Sequence, residues 1–131
     1  MTADSTDLGS LADTAMLDAI DIATNIRVPF PAFVLVEDAT GRHLHRFSAR
    51  RIEQTVAQAQ AFVGLRFGDS QRVVLTLAGS VTHEGKQCDA LIVKAFDVAN
   101  DIQFTIAQRY RRTGPARRRA ALVGSPIYLD A

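Results

Sequence analysis

The chain has 131 residues, of which 47% are hydrophobic and 22% charged, and its formal net charge at pH 7 is +1. These values are ordinary for one soluble folded domain and exclude an intrinsically disordered chain. The single cysteine, Cys88, excludes an intrachain disulfide framework. No apolar stretch approaches the roughly 20 residues that cross a bilayer, and the N-terminus lacks the pattern of a secretory signal. We therefore expect a cytoplasmic protein with no membrane association.

The N-terminal part of the sequence predicts a short tail and then a helix. Residues 1–9 are small and polar and are predicted to form a flexible segment, which leaves residues 10–131 as a single domain. From Ser10, a good N-cap, apolar side chains recur every three or four residues. This spacing predicts an amphipathic helix over about 11–26 with an acidic outer face, ended by the prolines that follow.

The rest of the chain predicts strands and a second helix. An apolar run followed by a turn at Gly41 indicates a hairpin. Ser48 is the expected cap of a helix over about 49–65. The predicted strands are Ala32–Glu37, Arg42–Phe47, Val73–Thr82, Gln87–Phe96 and Ile102–Arg111, with a last short strand formed from Ala121–Gly124 and Ile127–Leu129.

These elements predict an α+β fold, a mainly antiparallel sheet of five to six strands with two helices in the order α-β-β-α-β-β-β(-β). A helix lying across one face of the sheet would bury the apolar pattern. The order of elements resembles that of two known fold groups, the roadblock (dynein light chain-like) group and the NTF2-like group. The second resemblance implies a deep pocket that binds a small acidic ligand through an arginine or a histidine.

Charge is distributed very unevenly along the sequence. The first 26 residues carry five aspartates and no basic residue, whereas six arginines fall in the segment from residue 109 to 119. Those arginines are Arg109, Arg111, Arg112, Arg117, Arg118 and Arg119. Opposite fields on one small molecule favour contact between its two ends, contact between copies, or capture of an acidic partner.

The arginine segment is the strongest candidate binding site in the sequence. Guanidinium groups pair with two oxygens of a phosphate or carboxylate at once. In a strand, Arg109 and Arg111 would share one side, while Tyr110 and Arg112 share the other. An acidic protein surface or a second copy fits this segment better than nucleic acid does, because few aromatic side chains lie nearby and the isoelectric point is only about 8.0. A solvated loop with ion pairs inside the molecule is the alternative interpretation of the same residues.

Two histidines raise the possibility of a metal site. His43 and His45 are two apart in a predicted strand, so their imidazoles would project from the same side, and His83 could supply a third ligand. The neighbouring Arg42 and Arg46 oppose binding of a divalent ion. A solvated strand face is the alternative interpretation of the same residues.

The sequence carries no catalytic signature. Cys88 could act as a nucleophile only with a base to lower its pKa, and the adjacent Asp89 would point to the opposite face of the strand. No carboxylate pair has the spacing that predicts acid–base catalysis, and no phosphate-binding loop occurs. The sequence therefore predicts neither an enzyme nor a cofactor.

Self-association has an independent argument. A meander of long apolar strands leaves at least one edge to protect, and Ala32–Val36 or Val73–Ala78 would be exposed if either lay there. Pairing of two edges across a two-fold axis would cover them. Our leading hypothesis is a small, non-catalytic domain that forms a homodimer or binds a partner. The alternatives are an NTF2-like pocket protein and weak nucleic-acid binding through the arginines.

Overall fold

The computed structural model describes residues 5–25, 31–114 and 119–129. Two helices and seven strands make up this part of the chain, together with a single 3-10 turn after the second helix. The elements are α1 (Ser5–Asn25), β1 (Ala32–Asp38), β2 (Gly41–Phe47), α2 (Ile52–Arg66), β3 (Arg72–His83), β4 (Lys86–Asp97), β5 (Ile102–Thr113), β6 (Arg119–Leu122) and β7 (Ile127–Leu129). The predicted α+β class, antiparallel sheet and order of elements are confirmed.

The sheet has seven strands where five to six were expected. Its order is β2-β1-β3-β4-β5-β6, and β7 pairs with β5 beside β6. The extra strand arises because the C-terminal segment forms two short strands rather than a single bent one. A turn through Gly124, with φ +66°, separates them, and both strands pair antiparallel with β5.

The first helix begins well before the predicted boundary. Residues 5–9, expected to belong to a flexible segment, form the start of α1. Leu8 explains the difference, because its side chain is fully buried and extends the apolar stripe by one turn. The second helix begins at Ile52 with Arg51 as its N-cap, and no side chain caps it, so Ser48 is not the cap.

The two helices lie on opposite faces of the sheet, so both faces are covered in part, whereas a helix across one face was expected from the sequence. On β3, Val74 and Ala78 pack with α1, whereas Val73, Leu75 and Leu77 pack with α2. Successive residues of a strand point to opposite faces, so β3 contributes to two separate cores. The near-continuous apolar run in this strand is the sequence signature of a strand covered on both sides.

The two helices cover different parts of the sheet. α1 packs mainly on β3, β4 and β6, whereas α2 packs on β1, β2 and β3. Because of this offset, β1 and β2 are covered on the α2 side and left largely open on the α1 side.

The strands expected to be exposed edges lie inside the sheet. β1 is hydrogen-bonded to β2 and β3, and β3 to β1 and β4, so Ala32–Val36 and Val73–Ala78 are both interior. Pairing of either strand across a two-fold axis is therefore wrong as a mechanism of assembly. The real edges in the described chain are β2 at one side and the short strands β6 and β7 at the other. No helix among the described residues has the length and apolar character to cross a membrane.

Candidate functional site

The arginines of β5 divide between the two faces of the sheet. Tyr110 belongs to the core beneath α1, and Arg112, two residues on, shares its side. Arg109 and Arg111 point to the opposite side. Arg111 and Arg112 are exposed. Arg119 starts β6, where its backbone pairs with Thr113, and Arg117 and Arg118 lie outside the described residues.

Arg109 is part of the packing at the C-terminal end of the sheet. Its guanidinium lies against Gly124, so close that a β-carbon at that position would overlap it. The Nε atom of Arg109 is buried with no hydrogen-bond partner in the described structure. Beside it, the buried Gln108 donates from Nε2 to the carbonyl oxygens of Arg109 at 3.0 Å and Gly124 at 3.2 Å. These contacts fix the turn between β6 and β7.

A shallow concavity of about 450 Å³ lies beside the arginines, and it contains an acid as well as bases. Asp89 lines it together with Arg109, Arg111 and Arg112. Burial raises the pKa of Tyr110, and the nearby Asp89 carboxylate raises it further, while Arg112 acts in the opposite direction. A carboxylate among the cations weakens attraction for an anion. The concavity is therefore a poorer anion site than the sequence alone indicated.

The histidines are only partly brought together. His43 and His45 share the α2 side of β2, where His45 stacks on Phe62 with ring centroids 4.3 Å apart. Nε2 of His43 lies 2.8 Å from the Thr40 hydroxyl and 3.3 Å from Asp38 Oδ1. His83 stands at the far end of β3, about 33 Å away by strand geometry. Within the described ranges, no group of three or more His, Cys, Asp or Glu residues could hold a metal ion.

Cys88 lies on the hairpin formed by β3 and β4. It pairs across the hairpin with Val81, and its thiol faces the Lys86 carbonyl oxygen at 3.7 Å. Nε2 of His83, near the turn of the same hairpin, lies 3.7 Å from Glu84 Oε1.

A charge cluster at the other end of the sheet was missed by the sequence reasoning. Arg72 contacts the Glu37 carboxylate through Nη1, and its Nε lies 3.8 Å from Asp97 Oδ2. The Arg72, Glu37 and Asp97 side chains are only 11%, 14% and 1% exposed. Arg42, which is 64% exposed, donates from Nε to Glu37 at 2.8 Å. Glu37 and Asp97, which the sequence did not single out, therefore belong to a largely buried ionic network.

The network and the adjoining turn shift the pKa of two carboxyl groups. Burial opposes ionisation of Glu37, but hydrogen bonds from Arg42 and Arg72 outweigh it and lower its pKa. Asp38 accepts hydrogen bonds from the hydroxyl of Thr40 at 2.6 Å and from its N–H at 2.8 Å. These bonds lower the pKa of Asp38 to about 2. Both groups stabilise the first hairpin in their ionised form.

The open part of the sheet forms an apolar groove of about 280 Å³ beside α1. Its floor consists of Phe33, Leu35 and Leu44, and we call this surface the open face. Phe33 and Leu35 are half-buried, whereas Leu44 is 66% exposed. Ala15 and Ile22 of α1 line the facing wall of the groove. On the other side of the same strands, Val34 and Val36 are fully buried.

The rims of the open face carry opposite charges. Asp18 and Asp21, both exposed, line the groove on the α1 side. On the β2 side, Arg42 and Arg46 are exposed and project from the same face as Leu44, because the three alternate along the strand. This juxtaposition was hidden in the sequence, where the acids and the arginines are about 20 residues or more apart.

The groove differs from the pocket that the NTF2-like resemblance implied. The described residues that line it include two aspartates and neither an arginine nor a histidine. Within the groove lining, an acidic ligand would therefore meet the repulsive carboxylates of Asp18 and Asp21 and no cation. Comparison with known proteins adds no further guide, because no protein-family model, curated protein or solved structure matches this chain.

Proposed function

We propose that this chain is a cytoplasmic, non-catalytic protein-binding domain that contacts its partner through the open face. The observation that carries the proposal is the unequal cover of β1 and β2, whose α2 side is packed while their α1 side presents Phe33, Leu35 and Leu44 in a groove. Contiguous exposed apolar surface bordered by polar residues is characteristic of interaction sites.

The chemistry of the surface supports a macromolecular partner over a small ligand. A volume of about 280 Å³ lies just below the roughly 300–1,000 Å³ typical of small-molecule sites. An apolar centre with charged rims matches the arrangement of protein interfaces, in which a hydrophobic core is surrounded by a polar border. Leu44, on the edge strand β2, is the most exposed apolar side chain of the groove.

The experiment compares three immobilised proteins: the wild type, Leu44→Glu and Leu65→Glu. Leu65 is 80% exposed on α2, on the other side of the sheet, so its substitution is a matched control for the added charge. We expect the wild type and Leu65→Glu to retain the same partner from a lysate of the source cells, and Leu44→Glu to lose it. Equal recovery by all three proteins would contradict the proposal.

A further inference from the structure

We propose that the occupant of the open face is a second copy of this chain, seated so that α1 of each copy lies over β2 of the other. This inference rests on the proposed function, because it names the partner of the same surface. The argument uses the charges of the two rims, the symmetry that joins them and the composition of the β2 edge.

The open face is self-complementary in charge. Its α1 rim carries Asp18 and Asp21. Its β2 rim carries Arg46 and also Arg42, whose guanidinium already contacts Glu37 of the same chain, so Arg46 is the main cation of this rim. The first helix contributes only acids, since no basic residue precedes Arg27. A partner must therefore present positive charge to one rim and negative charge to the other. A copy of the same surface meets both requirements.

Two-fold symmetry selects one orientation of the two copies. Where two identical faces meet, the symmetry axis lies in the plane between them. An axis running along the groove places the acidic rim of one copy over the basic rim of the other, twice. An axis running across the groove would place acid over acid and base over base, which is unfavourable. The first arrangement also brings both apolar floors into the interface, with Leu44 of each copy facing α1 of the other.

The β2 edge itself argues against the alternative of strand pairing. If two copies of β2 paired antiparallel about Leu44, Arg42 of each copy would lie opposite Arg46 of the other. Like charges directly opposite on paired strands are destabilising. Charged side chains on an edge strand are a common protection against such pairing. The copies are therefore joined through their faces, and their sheets remain separate.

The first test is light scattering after size exclusion at about 500 µM protein, a concentration at which a dissociation constant of about 100 µM or lower gives mostly dimer. We expect a dimer for the wild type and for Leu65→Glu, and at least a tenfold weaker dimer for Leu44→Glu. Raising salt from about 50 to about 500 mM should weaken the wild-type dimer, because it screens attraction between the rims. Strengthening by salt, or a wild-type monomer, would overturn the proposal.

A charge exchange tests the orientation directly. In the Asp18→Lys variant, the new positive charge would face Arg46 of the partner copy. In the Arg46→Glu variant, the new negative charge would face Asp18 of the partner copy. Each variant alone should therefore dimerise less than the wild type. Mixed in equal amounts, the two variants should form a heterodimer, in which one of the two contacts pairs the introduced lysine of one chain with the introduced glutamate of the other. Circular dichroism of each variant confirms folding. Failure of the mixture to exceed both single variants would refute the arrangement.

The outcomes separate this inference from the proposed function. A chain that stays monomeric but retains a partner sensitive to Leu44→Glu would refute the second copy and leave the binding surface intact. A monomer that also shows no such partner would refute both. A dimer that Leu44→Glu does not weaken would show that assembly uses another surface.

Discussion

Arg72 and Arg42 contact the same carboxylate, yet their substitutions should differ severalfold in cost. Arg72→Met would leave the buried Asp97 without its cation and would leave Glu37 with only the exposed Arg42. Removing one partner of a buried ion pair typically costs about 3–5 kcal/mol. Arg42→Met removes an exposed contact to Glu37, and exposed pairs contribute about 0–1 kcal/mol. Arg42→Met is therefore the matched control.

The measurement is urea unfolding at pH 7, followed by circular dichroism. With a denaturant slope of about 2 kcal/mol/M, typical of a chain of this size, Arg72→Met should lower the midpoint by about 1.5–2.5 M. Arg42→Met should lower it by at most about 0.5 M. Adding Glu37→Gln to Arg72→Met should recover part of the loss, because it removes one of the two carboxylates that Arg72 neutralised. A midpoint for Arg72→Met no lower than that for Arg42→Met would refute the reasoning.

Three further predictions concern pH, the C-terminal turn and the core. The folded-state pKa of Asp38 lies below its unfolded value, so the contribution of Asp38 to folding stability is present above about pH 4 and is lost as the pH falls towards 2. Because Thr40→Val removes the hydroxyl that donates to Asp38, it should raise the pKa of Asp38 in a carbon-detected NMR titration. Gly124→Ala should destabilise the fold by at least about 1 kcal/mol, because φ at this position is +66° and the new β-carbon would overlap the Arg109 guanidinium. Adding Arg109→Ala removes that overlap, so thermal melts of the double variant should show part of the stability restored. Leu91→Ala, at a fully buried site, should lower the free energy of unfolding measured in urea by about 2.7–5 kcal/mol. Leu17→Ala is the control, because the Leu17 side chain is 68% exposed, and it should lower the same quantity by at most about 0.5 kcal/mol.

The α+β class and the order of elements were predictable because helix and strand periods are local properties of the chain. The spacing of apolar residues identifies α1, and the turns at Gly41 and Gly85 separate strands by short-range chemistry. The start of α1 was placed late because Leu8 follows polar residues and its burial depends on contact with distant strands. Position in the sheet was not predictable either, since β1 becomes interior only by pairing with β3.

In the candidate site, too, the features that are local in the sequence were predictable and those that depend on contacts between strands were not. The sequence indicated correctly that Arg109 and Tyr110 would point to opposite sides, because alternation along a strand is local. It gave no sign that Asp89 lies beside the arginines, or that Arg72 joins Glu37 to Asp97, because those contacts cross between strands. Leu44 was the one available signal for the open face, as a lone apolar residue between two histidines and two arginines.

The packing of α1 on β3 and β4 has a consequence for how the chain folds. The β3–β4 hairpin can close locally, through a two-residue turn at Glu84 and Gly85, both with positive φ. α1 must wait for that hairpin, because about 60 residues separate its end from the start of β4. At a synthesis rate of about 5–20 residues per second, the nascent helix spends about 3–12 s without its partner strands. During that interval the outer face of α1 carries aspartates and no basic residue, and we expect this charge to repel one emerging chain from the next before the core exists.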